Sequence, residues 1–257
     1  MNVFARIGHV FINFLQASGR LALFTMHAVS FCVRPPFYVR ATVSQMIEIG
    51  FYSLPVVALT TLFSGMVIAL QCYSGFSQLN AESAIAFVVV ITIVRELGPV
   101  MAGLMVAGRV GAAMAAELGT MRVTEQIDAL TTLSTNPYRY LVVPRLLGGV
   151  LMMPVLVLIG DVIGIMGGYL VSVYKLGFNM TNYLSNTWSY LTLSDMASSL
   201  TKAAVFGFIV TLLGCYNGFY SKGGAEGVGK ATTNAVVASS VLIMIGDYLL
   251  TEMFFTN

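Results

Sequence analysis

Ile85–Ala116 reads IAFVVVITIVRELGPVMAGLMVAGRVGAAMAA, and its only charges are Arg95, Glu96 and Arg109. A bilayer core of roughly 30 Å is crossed by about 20 helical residues, so this run predicts a membrane span. At about 1.5 Å of rise per residue, Arg95 and Glu96 lie about 15 Å in from Ile85, near the middle of a bilayer. Charges at that depth are costly, and they face a protein interior or a wet cavity. Pro99 adds a second constraint, because it lacks the N–H that would bond the carbonyl of Arg95. A kink is therefore predicted at the charged pair. On a helix Arg95 and Glu96 point about 100° apart, so one can meet a partner while the other meets solvent or a ligand. Glu96, Asp161 and Asp247 are the candidate partners for Arg95.

The rest of the chain fits the same class. Of the 257 residues, 57% are hydrophobic and 9% charged, and the mean hydropathy is +0.84; soluble domains average roughly 45–50% apolar and 25% charged. This is the composition of a membrane protein. A formal charge of +2 is too small to indicate nucleic-acid binding. Cys32, Cys72 and Cys215 sit in apolar runs without metal or disulfide spacing, and are expected to be small core residues.

Four further runs can span. Leu54–Phe76 is uncharged, Leu146–Tyr174 carries only Asp161, Ala235–Phe255 carries Asp247 and Glu252, and the shorter Ala203–Tyr220 is uncharged. Five spans are predicted in all. The first 50 residues differ. Val3, Phe4, Ile7, Val10, Phe11, Phe14 and Leu15 share a stripe opposite Arg6, His9, Asn13 and Gln16, the pattern of a helix lying in the interface. Leu21–Val33 has the length of a signal-peptide core, yet no A-x-A site follows and Arg34-Pro35-Pro36 ends it.

With the amino terminus in the cytoplasm, one side of the membrane holds Arg6, Arg20, Arg34, Arg40, Arg122, Arg139, Arg145, Lys222 and Lys230. The other side holds only Lys175 and Lys202. That asymmetry predicts this orientation, which leaves the carboxyl terminus periplasmic and makes Leu176–Asp195 an aromatic interfacial loop.

Near the last span the chain reads GAEGVGK from Gly224 to Lys230, the spacing of a phosphate-binding loop. Ala231 stands where such a loop needs a Ser or Thr hydroxyl, and a span rather than a strand precedes it. A glycine-rich turn is the expectation, with Thr232 or Thr233 capping the following helix. Small residues at four-residue spacing, Gly103, Ala107, Gly111 and Ala115, and then Gly160, Gly164 and Gly168, predict close helix packing. Spacing does not say whether that packing is within one chain or between two.

Between the second and third spans, Glu117–Arg145 turns charged. A short helix is predicted from Met121, with Ile127, Leu130 and Leu133 near one side and Asn136-Pro137 ending it.

The run RELGPVMAGLMVAGRVGAAMAAELGTMRVTEQIDAL (residues 95–130), followed by NPYRYLVVPR and GVGKATTNAVVASS, closely resembles the MlaE (YrbE) family of ABC-transporter permeases. The likeness runs through nearly the whole chain. It implies an all-α membrane protein with amino-terminal interfacial helices over residues 1–53 and a five-span permease domain over 54–257. A cytoplasmic coupling helix is implied within 117–136.

The implied assembly is a homodimer in the bacterial inner membrane that moves phospholipid between that membrane and the envelope, maintaining outer-membrane lipid asymmetry. Its implied partners are an ABC ATPase (MlaF-like), an MCE-domain substrate-binding protein (MlaD-like, hexameric) and a STAS-domain protein (MlaB-like). ATP and magnesium would bind at the ATPase, so the chain itself is expected to hold no cofactor and break no bonds. By the same likeness Glu117, Arg122, Glu125, Gln126 and Asp128 are expected to contact the ATPase. Arg95, Glu96, Lys202 and Asp247 would be polar positions at a lipid cavity whose wall includes Ile68, Gln71, Phe76 and Leu79.

Two other function classes compete. An ion-coupled carrier would use Glu96, Asp161 and Asp247 as a relay, but five spans do not divide into the inverted repeat common among carriers. A non-transporting anchor for the MCE protein would leave the mid-membrane charges without a use.

Overall fold

A computed structural model describes residues 3–32, 34–76 and 82–255, and among these every regular element is helical. Helix α1 (Val3–Cys32) and α2 (Val39–Gly50) precede α3 (Leu54–Phe76). The second span runs as α4 (Glu82–Thr92), α5 (Gly98–Val106) and α6 (Ala112–Val123), joined by π-helical turns at Ile93–Leu97 and Ala107–Gly111. After α7 (Gln126–Thr132), a π turn at Tyr138–Val142 leads into α8 (Val143–Leu170), which ends in another at Val171–Lys175. The chain closes with α9 (Met180–Tyr190), α10 (Leu193–Phe219) and α11 (Gly224–Phe255).

Five helical stretches are long and apolar enough to cross a membrane: Val39–Gly75, Ala84–Val123, Tyr138–Lys175, Leu193–Phe219 and Gly224–Phe255. The protein is an all-α, multi-pass membrane protein. The five runs expected from sequence are these five, each with an earlier start. The first span begins at Val39 rather than Leu54, because α2 leads into α3 through a single turn at Phe51–Ser53. The fourth begins at Leu193 rather than Ala203, which places Lys202 inside the bundle and not in a connection. Lys175 is then the one basic residue left from the pair assigned to the less basic side.

Helix α8 lies at the centre of one layer, packed on α2, α3 and α10, while α10 also packs on α6 and α11. Glycine decides these approaches. A Cβ on Gly65 would strike the backbone at Gly164, and one on Gly207 would strike the backbone at Gly149. The small-residue ladders therefore serve contacts within one chain: Gly160 meets Val57 and Thr61, and Gly111 meets Val210.

Helix α1 docks through its second half. Phe24, 1% exposed, stacks among Tyr138, Tyr216, Phe219 and Tyr220 at centroid distances of 5.3, 5.5, 5.9 and 5.9 Å. Of the apolar stripe expected at the amino terminus, Leu15 is exposed, and the other side chains of that stripe lie outside the described residues.

The glycine-rich run is not a turn. Only Gly223 and Gly224 take positive φ, and the helix begins at Gly224. Thr232 and Thr233 lie two turns inside, their hydroxyls donating to the Gly229 carbonyl at 2.6 and 3.2 Å, so neither caps it. A phosphate-binding loop must present a row of free backbone N–H groups, whereas here those groups enter a helix.

Candidate functional site

The site is built where α10 meets the π turn of the second span. Along α10, Asp195, Ser199 and Lys202 follow at four- and three-residue spacing and so share a face. A capping box sets the start of α10: the Asp195 N–H donates to Thr192 Oγ1, while Asp195 Oδ2 accepts from the Thr192 N–H at 3.1 Å. That reciprocal pair fixes the Asp195 carboxylate, whose other oxygen accepts from Arg95 Nε at 2.7 Å. Asp195 thus takes the place expected of Glu96, Asp161 or Asp247. It was missed because it precedes the apolar run from which the span was read. The Thr192-x-x-Asp195 spacing was the available signal for the helix start.

Arg95 stands in the π turn Ile93–Leu97, one turn before Pro99. The Gly98 N–H reaches back five residues to the Ile93 carbonyl, so a widened turn replaces the simple kink expected from Pro99. In α-helical register the Arg95 carbonyl would need the missing N–H of Pro99. Lys202 Nζ donates to that carbonyl at 2.8 Å instead.

Lys202 is fully buried, and four oxygens surround its ammonium. It donates to Arg95 O at 2.8 Å, Glu96 Oε2 at 2.8 Å and Thr251 Oγ1 at 2.7 Å. These use its three protons, and Asp247 Oδ1, at 2.8 Å, completes the shell as an ion pair. The Thr251 hydroxyl lies within reach of the Asp247 carbonyl at 2.8 Å and of Glu96 Oε1 at 3.1 Å. A lysine at bilayer depth is tolerated because two carboxylates and two neutral oxygens replace its water.

Arg95 is placed differently. Its side chain is 30% exposed, and that of Glu96 is 36% exposed. The guanidinium lies over the Phe255 ring, 4.1 Å from the centroid. Among the described residues its two terminal nitrogens make no hydrogen bond, so they remain available as a planar pair of donors for an anion.

A third buried carboxylate supports the π turn. Asp161 Oδ2 accepts from Ser199 Oγ at 3.0 Å, while its Oδ1 is buried without a hydrogen-bond partner. A Cβ on Gly98 would overlap that carboxylate, so glycine is what lets Asp161 approach the backbone of the bulge.

Of the expected cavity residues, Arg95, Glu96, Lys202 and Asp247 converge here. Ile68 is half-buried and packs with the small cluster of Ala69, Ile85, Val89 and Ile93, whereas Gln71 is exposed. The Phe76 side chain and Leu79 lie outside the described residues. Among the described residues no cluster of His, Cys, Asp and Glu is arranged to hold a metal ion.

At the end of the molecule rich in arginine, helix α6 continues to Val123, beyond the expected helix start at Met121. Glu125, at φ 60°, breaks it from α7. Ile127 is buried on the inner face of α7, Leu130 is partly buried against the core and Leu133 is 74% exposed. Glu117 Oε2 accepts from the buried Arg145 at 2.7 Å, and Arg122 pairs with Asp128 at 2.6 Å. Glu125 and Gln126 are exposed, and Glu125 enters no ion pair among the described residues.

Arg109, in the second π turn, seals the joint between α2 and α3. Tyr52 N–H bonds Ile47 O, which leaves the Glu48 carbonyl to Arg109 Nη1 at 3.1 Å. The same nitrogen reaches Ser53 Oγ at 2.9 Å, and Nη2 reaches Glu48 Oε1 at 3.0 Å.

The family model described as permease MlaE matches residues 42–253. The chain is 59% identical over 255 residues to a probable ABC transporter permease protein of Rickettsia felis, covering 99% of this chain and 98% of that one. It is 34% identical over 260 residues to the intermembrane phospholipid transport system permease protein MlaE of Haemophilus influenzae, again covering 99% and 98%.

Proposed function

The chain belongs to the MlaE family of ABC-transporter permeases, and we propose that two copies of it form the membrane core of a phospholipid transporter. The observation that carries this proposal is Arg95. It sits within the second span, is pinned through Nε to Asp195, and among the described residues its terminal nitrogens take no hydrogen-bond partner. A guanidinium with part of its surface exposed and donors still open does not face hydrocarbon. A second copy that encloses the surface bearing Arg95 and Glu96 accounts for the exposure and forms a chamber with apolar walls and a cationic group for a phosphate. The printed name of the Haemophilus influenzae relative supports phospholipid as the cargo.

In this reading the arginine-rich end faces the cytoplasm, the carboxyl terminus is periplasmic and the membrane is the inner membrane. A separate ATPase binds ATP and magnesium and docks at Glu117–Asp128, where Glu125 and Gln126 are free to contact it. An MCE-domain protein and a STAS-domain protein complete the assembly. This chain contributes shape, charge and movement and no bond-breaking step.

The test is affinity purification of the full chain from its own membrane, with mass spectrometry of the bound proteins and lipids. An ATPase and phospholipid should co-purify, and Arg95→Ala should lower bound phosphorus. Equal phosphorus in parent and variant overturns the headgroup role of Arg95.

A further inference from the structure

We infer that a second lipid site, for an anionic phospholipid, lies in the groove between the start of α2 and the start of α8, at the arginine-rich end of the bundle. The groove has a volume of ≈ 240 Å³, and Phe37, Val43, Met46, Val143 and Leu147 supply its apolar wall. Arg139 supplies its charge. The first and third spans begin at Val39 and Tyr138, so the mouth of the groove stands at headgroup level. From Arg139 to Leu147 the wall descends about 12 Å at helical rise, the depth of the upper part of an acyl chain.

Three observations choose an anionic head over a neutral one. Arg139 is held by Nη1, which donates to Pro35 O at 3.1 Å, and by the Phe31 ring 4.9 Å beneath the guanidinium. Its Nε is buried with no hydrogen-bond partner, and its Nη2 makes no hydrogen bond among the described residues. The groove lining contains no carboxylate. Arg34 and Arg40 flank it in sequence and enter no ion pair among the described residues, and both are exposed. In addition, α2 starts at the mouth with no side-chain cap, so the first-turn N–H groups of a twelve-residue helix add partial positive charge at that point. Cations gathered between span ends, over an apolar cleft open to the bilayer, suit an anionic headgroup with its tail in the cleft. The site is separate from the Arg95 cluster and does not depend on what the transporter carries.

The experiment places the full chain in phosphatidylcholine vesicles doped with phosphatidylglycerol bearing a photoreactive tail, and in parallel with phosphatidylcholine bearing the same tail. Crosslinks are mapped by peptide mass spectrometry. The glycerol lipid should label the peptides around residues 37–46 and 143–147 about fivefold more than the choline lipid, the factor expected from one arginine near an anionic head. Arg139→Gln should abolish that preference, and Val143→Trp should reduce labelling by both lipids. Where Arg139→Gln does not fold, the exposed double variant Arg34→Gln/Arg40→Gln should lower the preference. Equal labelling by the two headgroups, or a preference unchanged in these variants, overturns the proposal. So does loss of the preference on adding inorganic phosphate, which would mark a site for a free anion.

Discussion

Lys202 Nζ lies 2.8 Å from the main-chain carbonyl of Arg95, the carbonyl that Pro99 leaves without its helical donor. One ammonium therefore repairs the backbone of the second span and forms ion pairs with both Glu96 and Asp247. Lys202→Met leaves those two carboxylates facing each other beside an unpaired carbonyl. The expected loss is about 3–5 kcal/mol, read as a lower Tm of the detergent-solubilised chain. Adding Glu96→Gln and Asp247→Asn should recover much of it, because the surviving groups are then neutral.

Gly98→Ala drives a methyl group into the Asp161 carboxylate and should cost about 1–3 kcal/mol. In a double-mutant cycle with Asp161→Ser the two effects should fall short of their sum. Strict additivity in thermal unfolding would show that the two residues do not meet.

Thr192→Val removes half of the capping box that holds Asp195. A loss of about 1 kcal/mol is expected, with faster amide exchange confined to the first turn of α10. Because Asp195 orients Arg95, the same variant should also lower phospholipid co-purified with the chain.

Arg109→Gln withdraws the donor from the Glu48 carbonyl and Ser53 at the joint of the first span. The expected cost is about 1–3 kcal/mol, and amide exchange should rise at Phe51–Leu54. Unchanged exchange there would mean that the joint holds without its arginine.

Glu125→Lys/Asp128→Lys reverses charge on the exposed side of α7. The Arg122–Asp128 pair is partly exposed on one side and open on the other, so stability should change by less than about 1 kcal/mol. Recovery of the ATPase in a pull-down should nonetheless fall. Full recovery of the ATPase with this variant would argue against docking on α7.

Much of this architecture is legible along the chain. Apolar runs mark the spans because hydrocarbon admits only segments that satisfy their own backbone, and Pro99 marks the disturbed turn because its missing N–H is a local fact. The residue that answers each disturbance is not local. Asp195 is 100 positions from Arg95, and Thr251 is 155 from Glu96. Charge also misplaces a span end when it is read as a boundary: Lys202 looks like part of a connection, yet its buried partners allow it to sit within α10.

Along the chain alone, hydropathy specifies a helical membrane protein of five spans, a charged pair inside the second, and a charged connection after it. Those features follow from hydropathy, rise per residue and the chemistry of proline. The middle-of-bilayer depth expected for that pair is not what the fold shows, because Arg95 stands level with the first turn of α10 and the end of α11. That Asp195 holds Arg95, that Lys202 replaces the donor Pro99 lacks, and that Gly98 yields its space to Asp161 emerges from the packing of the helices. Hydrophobicity specifies that a helix is buried, but the pairing of its buried charges depends on which helices come within hydrogen-bond distance of each other. That proximity is set by the glycine contacts of α8 and α10.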